Sequence, residues 1–290
     1  MIIGALEAGG TKMVCAIGDE KGNIAEQIQI PTKTPAVTVP LLIDFFKYKG
    51  IEALGIGCFG PIDPDMHSKT YGYITSTPKL AWRDYNIVKN FYDALKVPIG
   101  FDTDVNGAAL GETAWGALCG CEVGIYITIG TGIGVGVCIE GKSLHGLMHP
   151  EGGHINIKRL DTDYYEGNCP YHNDCFEGLA AGPAIEGRWG KKAYELKNDS
   201  EVWELEAHYI AQAIANFIFC YSPGRIVLGG GVMHQEQLFP IIRAKVKEYL
   251  NNYINLKQIL DDIDLYIVQP ALGEDAGIKG ALRLGYLAIE

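Results

Sequence analysis

A strand–turn–strand pattern occurs twice along this chain, and it is the feature that most restricts the fold. Residues 2–30, IIGALEAGGTKMVCAIGDEKGNIAEQIQI, predict a strand, a Gly/Thr turn, a second strand, a glycine turn and a third strand. Residues 123–146, VGIYITIGTGIGVGVCIEGKSLHG, repeat this order. The segments agree in pattern rather than residue by residue, and they predict an internal duplication with one copy opening each half of the chain.

The segments that follow each copy alternate between strand and helix patterns. In the first half, IEALGIGCFG and VPIGFD predict buried parallel strands, with helices near 38–49, 85–95 and after Asp104. In the second half the pattern predicts a helix over 203–221, a strand and glycine loop in RIVLGGGVM, a helix near 235–250, a strand in DLYIVQP and a terminal helix. Two α/β lobes with a cleft between them are the expected architecture.

Composition excludes several classes of protein. The net charge of −11 argues against a nucleic-acid-binding surface, which needs a basic footprint. The N-terminus has no basic region typical of a signal peptide, and the longest uncharged run, 123–139, is too short and too rich in Gly and Thr for a membrane helix. Eight cysteines within mostly apolar segments indicate reduced thiols. We therefore expect a cytoplasmic protein without nucleic-acid or membrane partners.

Two segments match the consensus of a nucleotide-binding motif but lack the helix that such a motif requires. GVCIEGKS (136–143) fits the phosphate-loop consensus, but no helical pattern follows it, so it is interpreted as a hairpin turn. GIGCFG (55–60) fits the dinucleotide fingerprint but leads into prolines instead of a helix.

The corners of the duplicated hairpins are better candidates for binding phosphate. EAGGTK (7–12) and IGTGIG (129–134) combine glycines, which expose backbone N–H groups, with a threonine hydroxyl. One corner from each lobe could hold a triphosphate, and Lys12 could add a point charge; simple tight turns and a solvated lysine are the alternatives. The glycines of LGGGVM (228–233) suit either stacking of a base or close backbone packing.

Asp102 and Asp104 lie where a predicted strand ends and a helix begins, in FDTDVNGAALGE. Ligand sites in α/β folds lie at this end of the strands, although aspartate is also a common helix cap. Phosphoryl transfer to an alcohol needs a carboxylate that orients the hydroxyl and accepts its proton. Asp104 is the candidate for this role, and Asp102 is the alternative.

GNCPYHNDCFEG (167–178) places metal ligands at regular three-residue steps. With a histidine from HPEGGH these residues form a Cys2His2 set suited to tetrahedral Zn2+, namely His154, Cys169, His172 and Cys175. His145 and His149 are alternatives to His154. Four protein ligands leave no open position, so the ion would be structural and would stabilise an irregular loop. Glu151 and Glu177 flank the set and could accept hydrogen bonds from sugar hydroxyls.

Together these motifs resemble the ROK family of sugar kinases, most closely its fructokinase branch, over nearly the whole chain. The resemblance rests on eight segments: EAGGTK, GCFGPID, STPKLAW, FDTDVNGAALGE, TIGTGIGVG, EGGH, CPYHNDCFEGLAAGPAIEGR and IVLGGGVM. The combination of EGGH with CPYHNDC is the specific one. The resemblance implies an actin-like ATPase (ribonuclease H-like) α/β fold, with a duplicated β-β-β-α-β-α core in two lobes around a central cleft. The small lobe would span 1–117 and regain the terminal helix 275–290, and the large lobe would span 118–274.

The resemblance also implies ATP and Mg2+ as phosphoryl donor, a hexose substrate and a homodimer. Asp104 would be the general base, with Glu151, His154 and Glu177 at the sugar and His154 also on zinc. The residues implied for the nucleotide are Gly9, Gly10, Thr11, Lys12, Gly130, Thr131, Gly132, Gly229, Gly230 and Gly231. Thr103 replaces the asparagine that usually contacts the sugar, Glu7 replaces a common aspartate, and the zinc loop has the Cys-x2-His-x2-Cys spacing of fructokinase-like members.

The expected activity is ATP-dependent phosphorylation of D-fructose at its 6-hydroxyl. A mannokinase or glucokinase of broad specificity is the alternative within the class. A sugar-responsive ROK regulator is a different class, which the acidic charge and the phosphate corner beginning at residue 7 disfavour. A non-catalytic sugar-binding protein is the third alternative.

Overall fold

The computed structural model of the protein describes all residues, 1–290. Its strands are β1 (Ile3–Ala8), β2 (Lys12–Gly18), β3 (Ile24–Pro31), β4 (Ala53–Cys58), β5 (Tyr73–Ile74), β6 (Tyr85–Asn86), β7 (Ile99–Thr103), β8 (Val123–Ile129), β9 (Ile133–Ile139), β10 (Lys142–Ser143), β11 (Arg225–Gly229) and β12 (Ile267–Val268). Its α-helices are α1 (Pro35–Phe46), α2 (Ile87–Leu95), α3 (Asp104–Trp115), α4 (Phe176–Ala180), α5 (Gly182–Trp189), α6 (Ser200–Tyr221), α7 (Leu238–Leu250), α8 (Lys257–Leu260), α9 (Ile263–Tyr266) and α10 (Ala276–Leu287). No helix combines the length and the apolar character needed to cross a bilayer.

The two main sheets have the same strand order, which confirms the predicted duplication. The first sheet runs β3-β2-β1-β4-β7 and the second runs β10-β9-β8-β11-β12. In both, three strands joined by short turns are followed by two strands that are reached through helical segments and pair in parallel. This arrangement is the duplicated α/β core expected of the actin-like ATPase fold.

The chain packs as two compact units. The first contains residues 1–119, 136–150 and 271–290, and the second contains residues 120–135 and 151–270. The terminal helix α10 therefore belongs to the first unit, together with a segment that the sequence assigned to the large lobe. The predicted lobe boundaries, 1–117 with 275–290 and 118–274, stay a prediction.

The strands β1, β2 and β4 of the first sheet are buried on both faces, whereas the edge strand β3 is largely exposed. Ile3 and Ala5 of β1 pack with α10, whereas Leu6 and Ala8 join the cluster that contains α1 and α2. Because side chains alternate along a strand, Glu7 follows Ile3 and Ala5 on the face that α10 covers. This alternation places a carboxylate beside the start of α10.

Glycines let α10 approach the sheet and α3 closely. A Cβ built on Gly55 of β4 would lie 1.7 Å from the carbonyl oxygen of Ala281, and one on Gly280 would lie 1.8 Å from that of Gly107. Close helix packing, rather than a dinucleotide, therefore accounts for Gly55 in the GIGCFG pattern. Glu140 and Gly141, both with positive φ, form the turn between β9 and β10, which confirms the hairpin interpretation of GVCIEGKS.

The segment DLYIVQP differs most from its prediction. Only Ile267 and Val268 form a strand, and residues 263–266 form the short helix α9. Arg243 donates to the carbonyl oxygen of Ile267 at 2.7 Å. Tyr266 is buried as the last residue of α9. The apolar and β-branched residues of this segment predict a longer strand than the two residues that form one.

Candidate active site

The first glycine corner, residues 7–12, is held by Thr32, the residue that follows β3. The Thr32 hydroxyl donates to the carbonyl oxygen of Gly9 at 2.8 Å, and the Thr32 N–H donates to the carbonyl oxygen of Thr11 at 3.0 Å. A Cβ on Gly9 would lie 2.6 Å from the carbonyl oxygen of Lys12, so the turn requires glycine there. Thr11 and Lys12 are exposed, which leaves the hydroxyl and the ammonium group accessible to a ligand.

Asp102 and Asp104 have different surroundings. Asp102 is buried, and its carboxylate accepts from the Thr103 N–H at 2.7 Å and the Asn106 side-chain amide at 2.8 Å, with the His145 ring 3.1 Å away. The Asp104 carboxylate accepts the N–H of Val105 at 2.8 Å and no bond from another side chain. The structure therefore uses Asp102 to fix the start of α3 and leaves Asp104 with capacity for a substrate hydroxyl.

Burial raises the pKa of the Asp104 carboxyl above its ordinary value, although the Val105 N–H opposes the shift. Thr103 is also buried, and its hydroxyl accepts from the Asn106 N–H at 3.1 Å as the cap of α3. Its contact with a sugar stays a prediction. An aspartate with a raised pKa at a helix start is a better proton acceptor than an ordinary one.

Glu7, which the sequence marked only as the replacement for a common aspartate, is a further candidate site residue. Burial, followed by the charge of Asp104, raises the pKa of Glu7 to about 7, and the charges of Glu274 and Asp275 add to the effect. A Cβ on Gly277 would lie 2.4 Å from a Glu7 carboxylate oxygen. Its position directly before the glycine corner, at the end of β1, is the sequence signal that could have identified it.

Lys79 is the second residue that sequence reasoning missed as a site candidate. A Cβ on Gly10 would lie 2.7 Å from Cε of Lys79, so this side chain runs along the first glycine corner. Its ammonium nitrogen lies 5.9 Å from the ring centroid of Phe59. Because Lys79 is distant in sequence from Gly10, only its place in STPKLAW could have drawn attention to it.

The second glycine corner, residues 129–134, is held by two helices that follow the cysteine loop. The Ile133 N–H donates to Oε2 of Glu177 at 2.9 Å, and the Gly182 N–H donates to the carbonyl oxygen of Gly130 at 2.8 Å. The Gly130 N–H donates to the carbonyl oxygen of Gly132 at 2.9 Å and closes the turn. Thr131 at the tip is exposed.

In the glycine run 229–231, the first two glycines are closely packed and the third lies at an open surface. A Cβ on Gly229 would lie 2.3 Å from the Tyr126 hydroxyl, and Gly230 has φ +88° with backbone atoms of Ile129 within 2.7 Å of a Cβ. Gly231 has nothing within 4 Å, and its nitrogen lies 3.8 Å from a Cβ built on Gly130. The structure therefore brings Gly231 beside the second glycine corner and leaves its surface free of side chains.

The four predicted zinc ligands converge. One ligand atom from each of His154, Cys169, His172 and Cys175 lies within 4.8 Å of every other. Nδ1 of His154 is 3.7 Å from the Cys169 sulfur and 3.5 Å from the Cys175 sulfur, and Nδ1 of His172 is 3.7 Å from the Cys169 sulfur. Tetrahedral Zn2+ places sulfur and nitrogen ligands about 3.5 Å apart. The donor set therefore fits this ion.

The backbone of the cysteine loop is organised around the same cluster. Cys169 and Asn173 exchange backbone hydrogen bonds of 3.2 and 3.0 Å, and the Phe176 N–H donates to the carbonyl oxygen of Ile155 at 3.0 Å. Of the alternative histidines, His145 lies at Asp102, and Nε2 of His149 accepts the Ile62 N–H at 3.1 Å. The structure thus brings His154 into the cluster. Glu151 is exposed three residues before it.

Comparison with known proteins identifies the family. Residues 3–286 match the ROK family profile. The chain is 44% identical to the fructokinase of Pediococcus pentosaceus, covering 100% of this chain and 99% of that protein, and 41% identical to the fructokinase of Zymomonas mobilis, covering 99% and 97%. Its fold matches that of the ROK hexokinase from Thermus thermophilus with a TM-score of 0.80, 26% identity and coverage of 100% and 99%.

The fold and the matching profile therefore define a two-sheet α/β protein of the sugar-kinase type. The chain belongs to the ROK family.

Proposed function

We propose that the chain is an ATP-dependent hexose kinase that converts D-fructose to D-fructose 6-phosphate. The observation that carries the proposal is its full-length similarity to fructokinases, at 41–44% identity for the two described above. The structure adds a carboxylate with a raised pKa and two glycine corners of the kind that bind phosphate. Because both relatives are fructokinases, this similarity favours fructose over a broad-specificity mannokinase or glucokinase.

Asp104 is the general base of the proposed mechanism. Its carboxylate accepts the proton of the sugar 6-hydroxyl as that oxygen bonds to the terminal phosphorus of ATP, while the bond from this phosphorus to ADP breaks and ADP leaves. The raised pKa of Asp104 suits this proton transfer. Mg2+ enters with ATP as part of the substrate and balances charge on the phosphates. The rest of the catalysis comes from positioning and electrostatic stabilisation.

The phosphate and nucleotide residues would come from the three glycine segments. Gly9, Gly10, Thr11 and Lys12 offer N–H groups, a hydroxyl and a cation for the phosphates. Gly130, Thr131 and Gly132 offer the equivalent donors of the second corner. Gly229, Gly230 and Gly231 would border the adenosine, and the open surface at Gly231 supports contact with a flat base there.

Glu151, His154, Glu177 and Thr103 would contact the sugar. Zn2+ would be held by His154, Cys169, His172 and Cys175, where it would supply a structural cross-link and no reaction chemistry. The S···N distances of 3.5–3.7 Å support this assignment. Metal analysis of the purified wild type and of Cys169→Ser tests it, and a wild type free of zinc without chelator treatment contradicts it.

A coupled assay of ADP release tests the function. Fructose, mannose, glucose and N-acetylglucosamine are compared at equal concentration with the wild-type protein and saturating Mg·ATP. We expect the highest kcat/KM with fructose. A strong preference for glucose overturns the substrate assignment, and no ADP release with any hexose favours the non-catalytic alternative.

We further propose a cytoplasmic homodimer whose lobes span 1–117 with 275–290, and 118–274. The free state of all eight cysteines supports a reducing compartment. Sedimentation equilibrium gives the oligomeric state, and a monomer at micromolar concentration contradicts the dimer. Limited proteolysis that cuts near residues 117 and 274 supports the lobe boundaries.

A further inference from the structure

The second glycine corner is connected directly to the cysteine loop by one side chain. Glu177 lies in the first turn of α4, which begins immediately after Cys175. Its Oε2 accepts the N–H of Ile133 at 2.9 Å, and a Cβ on Gly132 would lie 2.6 Å from the same oxygen. Because only glycine fits at 132 while this contact is made, the carboxylate lies directly against the backbone of the corner.

A second contact from the same region holds the other side of the corner. The Gly182 N–H, at the start of α5, donates to the carbonyl oxygen of Gly130 at 2.8 Å. The Ala181 N–H donates to the carbonyl oxygen of Glu177 at 3.0 Å, so the two contacts belong to one continuous backbone segment. The corner is therefore held at both ends by residues that follow Cys175, the last candidate ligand of the cysteine loop.

We propose that Glu177 is a positioning residue for phosphate binding, which transmits the order of the metal-bound cysteine loop to the second glycine corner through its bond to the Ile133 N–H. The inference rests on the proposed kinase function and gives Glu177 a role besides contact with the sugar. A carboxylate bond to a backbone N–H is stronger than a neutral one, and it fixes which way the remaining N–H groups of the corner point. Loss of the bond frees those groups to reorient, and binding of the nucleotide then has to order them.

Nucleotide affinity measured without turnover tests this role. We compare wild type, Glu177→Ala and Glu177→Gln by titration calorimetry with AMPPNP and Mg2+. Glu177→Ala is expected to raise Kd about tenfold or more, whereas Glu177→Gln, which retains an oxygen acceptor, stays within about threefold. Glu186→Ala removes an exposed carboxylate from α5 and serves as the matched control with unchanged Kd.

Amide hydrogen exchange in the protein without substrate gives an independent readout. Residues 130–134 are expected to exchange faster in Glu177→Ala and in the metal-depleted wild type, but not in Glu177→Gln. Wild-type nucleotide affinity together with unchanged exchange in Glu177→Ala overturns the proposal, as does a change confined to KM for fructose. Because exchange is read without catalysis, failure of the fructokinase assay leaves this result interpretable on its own.

Discussion

The two glycine corners come from the same duplicated hairpin, yet the structure supports them in different ways. The first corner is bonded to Thr32, the residue that follows β3 of its own hairpin, and it contains Glu7, whose pKa is raised by burial and then by the charge of Asp104. The second corner is bonded to helices outside the hairpin, through Glu177 and Gly182. The two copies therefore share a strand order, but different residues contact their glycine corners.

The two corners differ in the kind of residue that surrounds them. Around the first corner, burial raises the pKa values of Glu7 and Asp104, and burying these carboxyl groups lowers the stability of the fold. Shifted pKa values of this kind are common at sites of proton transfer. Around the second corner, an irregular loop with three of the four candidate metal ligands would supply rigidity once metal is bound. Stability should therefore depend on metal in the second unit and on buried side chains in the first.

The largest expected effect is loss of metal from the second unit. Cys175→Ser removes one of four ligands and is expected to lower the free energy of unfolding by about 3 kcal/mol or more, because metal binding contributes directly to folding. Urea unfolding with and without a chelator measures it. Cys220→Ser, an exposed thiol outside the cluster, should behave as wild type. Equal stability of Cys175→Ser and wild type would remove the proposed difference between the units.

Glu112 is expected to have a comparable role in the first unit without metal. Its buried carboxylate accepts the N–H groups of Ala117, Ala271 and Leu272 at 2.5, 3.2 and 2.9 Å. Glu112→Ala leaves these donors without their acceptor and should cost about 3 kcal/mol of unfolding free energy. Glu112→Gln, which keeps one acceptor oxygen, should cost less. Chemical denaturation that shows no loss for either variant contradicts this role.

Glu7→Gln should stabilise the protein at pH 8. The pKa of Glu7 is about 7 in the folded protein, above its ordinary value, so the folded state binds this proton more tightly than the unfolded state. Stability from this group is complete at low pH and is lost as pH rises from about 4.5 through 7. Glutamine removes the loss, worth up to about 3 kcal/mol at pH 8 and little at pH 4. Thermal unfolding across pH checks the trend, and a destabilised variant at pH 8 refutes it.

The smallest expected effect concerns Lys79. If its ammonium group assists phosphate binding at the first corner, Lys79→Met should raise KM for ATP about threefold with little change in KM for fructose. Lys69→Met, an exposed lysine of the same unit, is the control. Initial-rate kinetics with each substrate varied in turn distinguishes this role from a purely structural one, which would shift both constants.

The sequence predicted elements whose causes are local. The duplicated hairpins, the long helix α6 and the strand before the glycine run all follow from periodicity and turn residues, and they are confirmed. The cysteine loop could be predicted because its ligand spacing is short. DLYIVQP was predicted too long, because its first residues belong to α9, where the Tyr266 hydroxyl donates to the distant carbonyl oxygen of Pro223.

The site residues that escaped sequence reasoning depend on contacts between distant segments. Glu7 acquires its high pKa from burial under α10, and Lys79 reaches Gly10 only in the folded chain. Asp102 and Asp104 were equal by spacing, and only the bonds to Asn106 and His145 distinguish them. Burial and partner geometry of this kind have no periodic signal in one sequence. The assigned roles of these residues stay predictions until variants are measured.

The most direct test of the central claim is the turnover of Asp104→Asn with fructose and Mg·ATP. The account predicts that kcat falls by about 10²–10⁴-fold while the Kd for fructose, measured by calorimetry, changes little, because asparagine keeps the shape but cannot accept the proton. Turnover within a few-fold of wild type, with fructose still bound, would contradict the assignment of Asp104 as the base.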